Sequence, residues 1–299
     1  MRRGLVVLAC VAVAFGGCGG EEESPATETS ALAVPWVDPD GDPPIIGSLS
    51  VNPADSTLFM GTNTGLFRIP DGAREPEKVT GELSTPDGKG KVSESLVVRF
   101  TGPDELLASG HPSAGEALPP QLGLISSDDA GATWSPVSEL GTADFHAIEP
   151  AGDTLVAALF QQPQVLVSED GGRNWETRAA PAALVSLEVD PNDPARWVGS
   201  TDRGLFVSTD SGGSWRPNDP IPNIRLAWSE SGELYRIDPG GPVKVSTDGG
   251  ETWEDRGSTG GEPQAMTVEG ETVYVALIDG TVTRSEDGGR TFTELVNGG

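Results

Sequence analysis

His111 and His146 are the only two histidines in this 299-residue chain, and each lies two residues from another polar side chain, Ser109 and Asp144. An imidazole near neutral pH can act as acid, base or metal ligand. Two histidines without an evident third ligand make a poor zinc or iron centre, so neither a metal nor another cofactor is expected. Tyr235 and Tyr274 could offer phenolic nucleophiles, but both stand next to apolar residues, where strand packing is reason enough for an aromatic. Two carboxylates suffice for glycoside hydrolysis, one as acid and the other as base or nucleophile. With 46 acidic residues, spacing alone singles out no pair. No serine has the G-x-S-x-G setting of a nucleophile elbow.

The elements that must hold these residues are written in a repeat. Ser127-Asp128-Asp129-Ala130-Gly131-Ala132-Thr133-Trp134 returns as copies running from Ser168 to Trp175, Ser208 to Trp215, Ser246 to Trp253 and Ser285 to Phe292. From serine to serine the steps are 41, 40, 38 and 39 residues, the length of a four-stranded propeller blade. An earlier unit lacks the motif, yet Ser50-Val51-Asn52-Pro53-Ala54-Asp55 parallels Glu188-Val189-Asp190-Pro191-Asn192-Asp193, and Thr64-Gly65-Leu66-Phe67 parallels Arg203-Gly204-Leu205-Phe206. Units then begin near residues 45, 95, 144, 183, 222 and 263. With 40 Gly and 25 Pro for turns, the fold class is all-β, a β-propeller of six four-stranded blades over residues 44–299.

The motif is the turn from the third to the fourth strand of a blade. In it Asp129, Asp170, Asp210, Asp248 and Asp287 accept backbone N–H bonds, while glycine supplies a positive φ. Trp134, Trp175, Trp215, Trp253 and Phe292 then open the outer strand and pack between blades. Burying a tryptophan of ~200 Å² at ~25 cal/mol/Å² gives at most ~5 kcal/mol, against ~1 kcal/mol for one turn hydrogen bond. The aromatic therefore holds the blade, and the aspartate shapes the turn.

Set against this frame, the middles of the inner strands read Ser50, Arg99, Ala147, Glu188, Ala227 and Thr267. Arg99 and Glu188 are the charged exceptions, expected at solvated positions beside the central channel and counted with the candidate ligand-binding residues. His111 follows the second strand of unit two, and His146 opens the inner strand of unit three. Both then fall on one rim, in adjacent blades, beside the long loop of residues 112–120. Ser109, His111, Asp144 and His146 are the candidate binding surface on that rim.

The formal charge is −27, from 19 basic and 46 acidic residues. Such a balance repels phosphate backbones, so nucleic acid is excluded as a partner. The chain starts Met1-Arg2-Arg3-Gly4, followed by an apolar run over residues 5–15 that is too short to span a bilayer, as in a secretory leader. Cys10 lies inside that run, leaving Cys18 as the one cysteine beyond it and no internal disulfide. The segment 18–43 is acidic and rich in Ser, Thr and Ala, and reads as a flexible tether.

Two resemblances add to this reading. Ala14-Phe15-Gly16-Gly17-Cys18 resembles the lipobox of bacterial lipoproteins, with Phe15 where leucine is usual. It implies a signal peptide over 1–17, a lipid on Cys18 and an extracytoplasmic place at the bacterial membrane. The repeats resemble BNR/Asp-box proteins, the group of sialidases, sortilin-type domains and photosystem assembly propellers. More specifically, Gly65-Leu66-Phe67-Arg68, the 107–112 and 122–125 segments, the 144–148 segment and Pro263-Gln264-Ala265 resemble bacterial BNR-repeat lipoproteins labelled glycosyl hydrolase-like. Histidine-rich runs of that group are replaced here by Pro44-Ile45-Ile46-Gly47 and Asn63-Thr64-Gly65. Phe67-Arg68-Ile69-Pro70 matches the sialidase motif that supplies a carboxylate-binding arginine, but stands on the third strand instead of leading into the first. The function expected is a non-catalytic binding or assembly module for a protein or glycan partner, with a sialidase-like glycosidase as the alternative.

Overall fold

Alternating apolar runs of four to eight residues, closed by Gly, Pro, Asn and Asp turns, build strands throughout the described chain. A computed structural model of the protein describes residues 42–86, 88–159 and 161–298, and no helix occurs among the described residues. The expected leader, Cys18 and nearly all of the tether lie outside the described residues. The first blade is β1 (Ile46–Val51), β2 (Leu58–Thr62), β3 (Gly65–Ile69) and β4 (Glu77–Val79), paired in that order. The second unit holds β5 (Gly81–Thr85), β6 (Gly88–Gly102), β7 (Glu105–Pro112), β8 (Leu124–Ser127) and β9 (Thr133–Ser138).

Four regular blades follow. They are β10 (Phe145–Ala151) with β11 (Thr154–Leu159), β12 (Gln164–Ser168) and β13 (Glu176–Ala179), then β14 (Leu184–Val189) with β15 (Trp197–Thr201), β16 (Gly204–Ser208) and β17 (Arg216–Asp219). Next come β18 (Arg225–Trp228), β19 (Leu234–Ile237), β20 (Pro242–Ser246) and β21 (Glu254–Ser258), and last β22 (Pro263–Glu269), β23 (Thr272–Leu277), β24 (Val282–Ser285) and β25 (Thr293–Val296). Each is an antiparallel meander, and the inner strands β1, β6, β10, β14, β18 and β22 touch in succession around a ring that closes from β22 back to β1.

Five of the six sheets have the expected four strands, whereas the second has five and closes on itself. The reason is an inserted hairpin. The first half of β6 pairs with β5, its second half pairs with β7, and β5 runs parallel to β9 through Glu82–Thr133 and Leu83–Trp134. Gly81 is needed there, because a Cβ at this position would stand 2.3 Å from the Trp134 Nε1.

Inner strands have one edge without a ladder partner, and an unpaired backbone edge must find acceptors elsewhere. Side chains of the preceding blade supply them. Ser48 and Ser50 accept the N–H groups of Val98 and Phe100 at 2.9 and 3.0 Å, and Ser186 and Glu188 accept those of Leu226 and Trp228 at 3.2 and 3.0 Å. The ring closes without strand exchange. Gln264 Oε1 accepts the Ile46 N–H at 2.8 Å, and Ile46 packs in one cluster with Ala265, Tyr274 and Val282 of the last blade.

The five Asp-boxes share one geometry. In the third copy Ser208 Oγ donates to Asp210 Oδ1 at 2.9 Å and accepts the Gly212 N–H at 2.8 Å, while Asp210 accepts the Ser214 N–H at 2.8 Å and its hydroxyl at 2.7 Å. Gly212 sits at φ +77°, the left-handed region where a side chain is strained. The aromatic reaches back to the blade before it: Trp175 Nε1 donates to Ser138 Oγ at 3.0 Å, and Trp215 Nε1 to the Ala179 carbonyl at 3.1 Å.

Candidate functional site

The central channel has three levels, and the inner strands decide what each presents. At the waist, Arg99 on β6 bonds Glu149 on β10, and its Nη2 lies 3.7 Å from Glu188 Oε2 on β14. Glu149 takes the level that strand midpoints assign to Ala147. In β10 and β14 a bulge falls at the same place, between Phe145 and Ala147 and between Leu184 and Ser186, so Ala147 matches Ser186 and Glu149 matches Glu188. Strand midpoints mislead here because β10 runs one residue further, to Ala151, and turns tightly through Gly152 to Thr154, whereas β14 ends in the longer Asp190-Pro191 turn.

Both glutamates are buried, and one guanidinium serves them. Burial pushes Glu188 up to about 7 against the pull of Arg99 and the Trp228 N–H. Glu149 is raised well above the usual carboxylate range by burial, with the charge of Glu188 adding to the push against Arg99. Arg99 loses by burial, but the two carboxylates outweigh that loss and raise it. A carboxylate poised near neutrality suits acid–base work, yet the cavity at this level is only about 80 Å³. Ligand pockets start near ~300 Å³. No sugar ring enters, and the triad ties blades two, three and four together.

Above the waist the channel opens into a mouth of about 1000 Å³. Ile45 of the first blade and Val185 of the fourth line it while 60% and 39% exposed, two of the three exposed large apolar side chains among the described residues. Arg225, the first residue of β18, lines both mouth and waist. Its Nη1 donates to the Val185 carbonyl at 3.4 Å, and its Nε is buried without a hydrogen-bond partner. Burial lowers its affinity for the proton, and the charge of Glu262 restores part of it. The opposite mouth, about 450 Å³, includes Pro53, Pro103, Pro150, Glu230 and Glu269 in its lining. Glu269 is raised there by burial and by Glu230.

The histidine cluster borders the wide mouth through His146. His146 Nε2 lies 3.4 Å and His111 Nε2 3.8 Å from Asp144 Oδ2, so the three residues meet across blades two and three. His111 Nδ1 is 2.5 Å from the Pro120 carbonyl, which can only accept, so Nδ1 carries a proton. Burial pulls Asp144 upward, but the hydrogen bond and charge of His146 and the charge of His111 hold it below the usual range. Ser109 is fully buried and its hydroxyl accepts the Phe145 N–H at 3.2 Å, so it backs the cluster from within. Among the described residues no group of three His, Cys, Asp or Glu side chains could hold a metal ion.

The sialidase-type residues are placed elsewhere. Arg68 points away from the channel, its Nε and Nη2 donating to Glu77 Oε2 of the outer strand at 3.1 and 3.0 Å. Tyr235 is buried and donates to Glu233 at 3.2 Å; burial and that carboxylate push its phenol up to about 12, the wrong direction for a nucleophile. Tyr274 is buried and likewise raised by burial.

Sequence reasoning missed Glu149, Arg225 and Arg236. Arg236 is 2% exposed, its Nε and Nη1 reach Asp238 and Asp219 at 2.8 and 3.0 Å, and its guanidinium lies 4.8 Å from the Trp253 ring centre. The available signal was a charge inside an apolar strand, as in Leu226's neighbour Arg225 and Tyr235's neighbour Arg236.

Comparison with known proteins matches the repeat and the fold. The BNR/Asp-box repeat model matches residues 244–255, the fourth box. Over 142 residues the chain is 28% identical to the photosystem II assembly protein Ycf48 of Thermosynechococcus vestitus, covering 44% of this chain and 41% of that protein, so the match spans less than half of the relative's length. The structure of YCF48 bound to D1 peptide superposes with a TM-score of 0.50 at 17% identity, over 85% of this chain and 82% of that one. An ancestral GH74 enzyme gives 0.52 at 16% identity, over 85% of this chain and 38% of that one. At these identities what is shared with the solved structures is the fold. With five boxes at blade spacing, the chain is a BNR/Asp-box-repeat β-propeller.

Proposed function

We propose that the chain is a non-catalytic binding or assembly propeller that holds an exposed polypeptide segment at its wide mouth. The observation that carries this reading is the division of the channel. The carboxylates paired with Arg99 are shut into a waist of about 80 Å³, whereas the 1000 Å³ mouth offers exposed Ile45 and Val185. Exposed apolar side chains around a concave opening are the mark of a protein-binding surface. The name of the T. vestitus relative, an assembly protein, and the D1 peptide bound to YCF48 support the same class of partner. Export with a lipid on Cys18 completes the proposal, placing the mouth outside the bacterial membrane.

The test is a photo-crosslinker at position 185 in living cells. Crosslinks to other exported polypeptides, lost with Ile45→Asp, are the expected result. Release of an aryl group from a glycoside panel, abolished by Glu188→Gln, would replace the binding reading with a hydrolytic one. For the anchor, Cys18→Ser should free the chain into the medium, and unchanged membrane retention overturns it.

A further inference from the structure

We infer that the wide mouth selects its polypeptide by an acidic side chain seated on Arg225, with apolar side chains nearby on the same face of the segment. This rests on the reading of the mouth as a polypeptide site and names what the site prefers.

Arginine keeps its charge in proteins and carries five N–H donors, so a guanidinium at the floor of a pocket demands acceptors. Arg99 and Arg236 each meet two carboxylates within the protein. Arg225 feels the charge of Glu262 but forms no ion pair within 4.0 Å among the described residues; it bonds a backbone carbonyl at 3.4 Å and keeps a buried Nε without a hydrogen-bond partner. A carboxylate is the complementary group, since its two oxygens match the guanidinium fork.

The surroundings fix the rest of the ligand. Blades one and four face each other across a ring of six, so Ile45 and Val185 flank the opening from opposite sides. An extended chain laid across it advances ~3.3 Å per residue and turns every second side chain to one face. The side chains of one face therefore meet Arg225 and the exposed apolar groups together, so an acidic residue with apolar residues at alternate positions suits this mouth. Asn63 and Gln264 line the same mouth, each accepting a backbone N–H of β1 or its lead-in, from Ile45 at 2.9 Å and Ile46 at 2.8 Å. Both amides are thus held in place, with their NH₂ ends not used in those bonds. The 80 Å³ waist prevents the chain from threading deeper, so the segment crosses the mouth.

The probe is a labelled heptapeptide, acetylated and amidated at its ends, with leucine second and sixth and aspartate in the centre, titrated onto the full-length protein by anisotropy. Changing the central aspartate to asparagine should weaken binding about tenfold, the scale of a charge-assisted pair. Arg225→Gln should weaken the aspartate peptide by about the same factor and leave the asparagine peptide unchanged. Equal binding of the two peptides to the unaltered protein, a comparison that needs no variant to fold, overturns the inference. Recovery of binding when the asparagine peptide is given a free C-terminal carboxylate also overturns it, because the occupant is then a chain end. If no heptapeptide binds while crosslinks at position 185 persist, only this inference fails; if both are absent, the mouth reading fails with it.

Discussion

Carboxylates at the outer turns and carboxylates at the channel waist are driven in opposite directions by the same fold. In the boxes, hydrogen bonds from neighbours up to four residues on hold Asp170 and Asp248 down at about 2; for Asp248 they do so against burial. At the waist, burial dominates and lifts Glu188 to about 7. The outer carboxylates are shaped by local chain; the inner ones are shaped by what the closed ring excludes. Every box partner is near in sequence, while Arg99 reaches Glu149 fifty residues away.

Breaking the waist should have the largest effect. Arg99→Met leaves two buried carboxylates without their cation, and removal of one partner from such a group costs about 3–5 kcal/mol. Urea unfolding at pH 7.5 should register that loss, and at pH 5, where Glu188, raised to about 7, holds its proton, the loss should shrink. An unchanged loss at pH 5 would mean that Arg99 contributes packing and not charge.

The opposed shifts also predict a shape for the stability profile. A carboxyl raised from 4.5 to about 7 holds its proton in the folded state, so its contribution is present below pH 4.5 and is lost as pH rises to 7. For Glu188 that amounts to on the order of 3 kcal/mol. The box aspartates behave in the opposite way: lowered from 3.8 to about 2, Asp170 and Asp248 contribute above pH 4 and lose that contribution as pH falls to 2. Maximal stability is expected between about pH 4 and 5. Glu188→Gln should flatten the neutral limb alone, and a flattening of the acid limb would contradict the assignment.

A smaller loss is expected from one box. Ser208→Ala removes the acceptor of the buried Gly212 N–H, a cost of about 1–3 kcal/mol. Because each blade repeats the device, the same change at Ser246 should cost a similar amount, and both should be insensitive to pH between 5 and 8.

These magnitudes also explain what could be read in the sequence. The box is a local motif repeated five times, so blade spacing, turn position and packing aromatic were all legible. Unit two deviates because residues 81–95 add a hairpin with no counterpart in the other units, and a unique insertion has no repeat to reveal it. Arg99 and Glu188 were visible as charges in apolar strands, whereas Glu149 was missed because β10 ends in a tight turn and β14 in a longer one, so strand midpoints do not mark the same level in the two. His111, Asp144 and His146 could be brought to one rim by counting strands, but Arg225 acquires its meaning only from the mouth that the ring creates.

Arg68 offers the smallest effect and the sharpest contrast with the waist. It too is an arginine bonded to a glutamate, and its motif is the one that reads most like a catalytic element. Its partner Glu77 is on the adjacent outer strand, and the two side chains are 46% and 55% exposed. Water and salt screen such a pair, so Arg68→Ala should change stability by about 0–1 kcal/mol and less still at high ionic strength. Crosslinking from position 185 should be untouched, because Arg68 is not among the residues that line the mouth. Loss of crosslinking in a folded Arg68→Ala protein would place the ligand on the outer strands and remove the distinction between rim and channel on which the binding proposal stands.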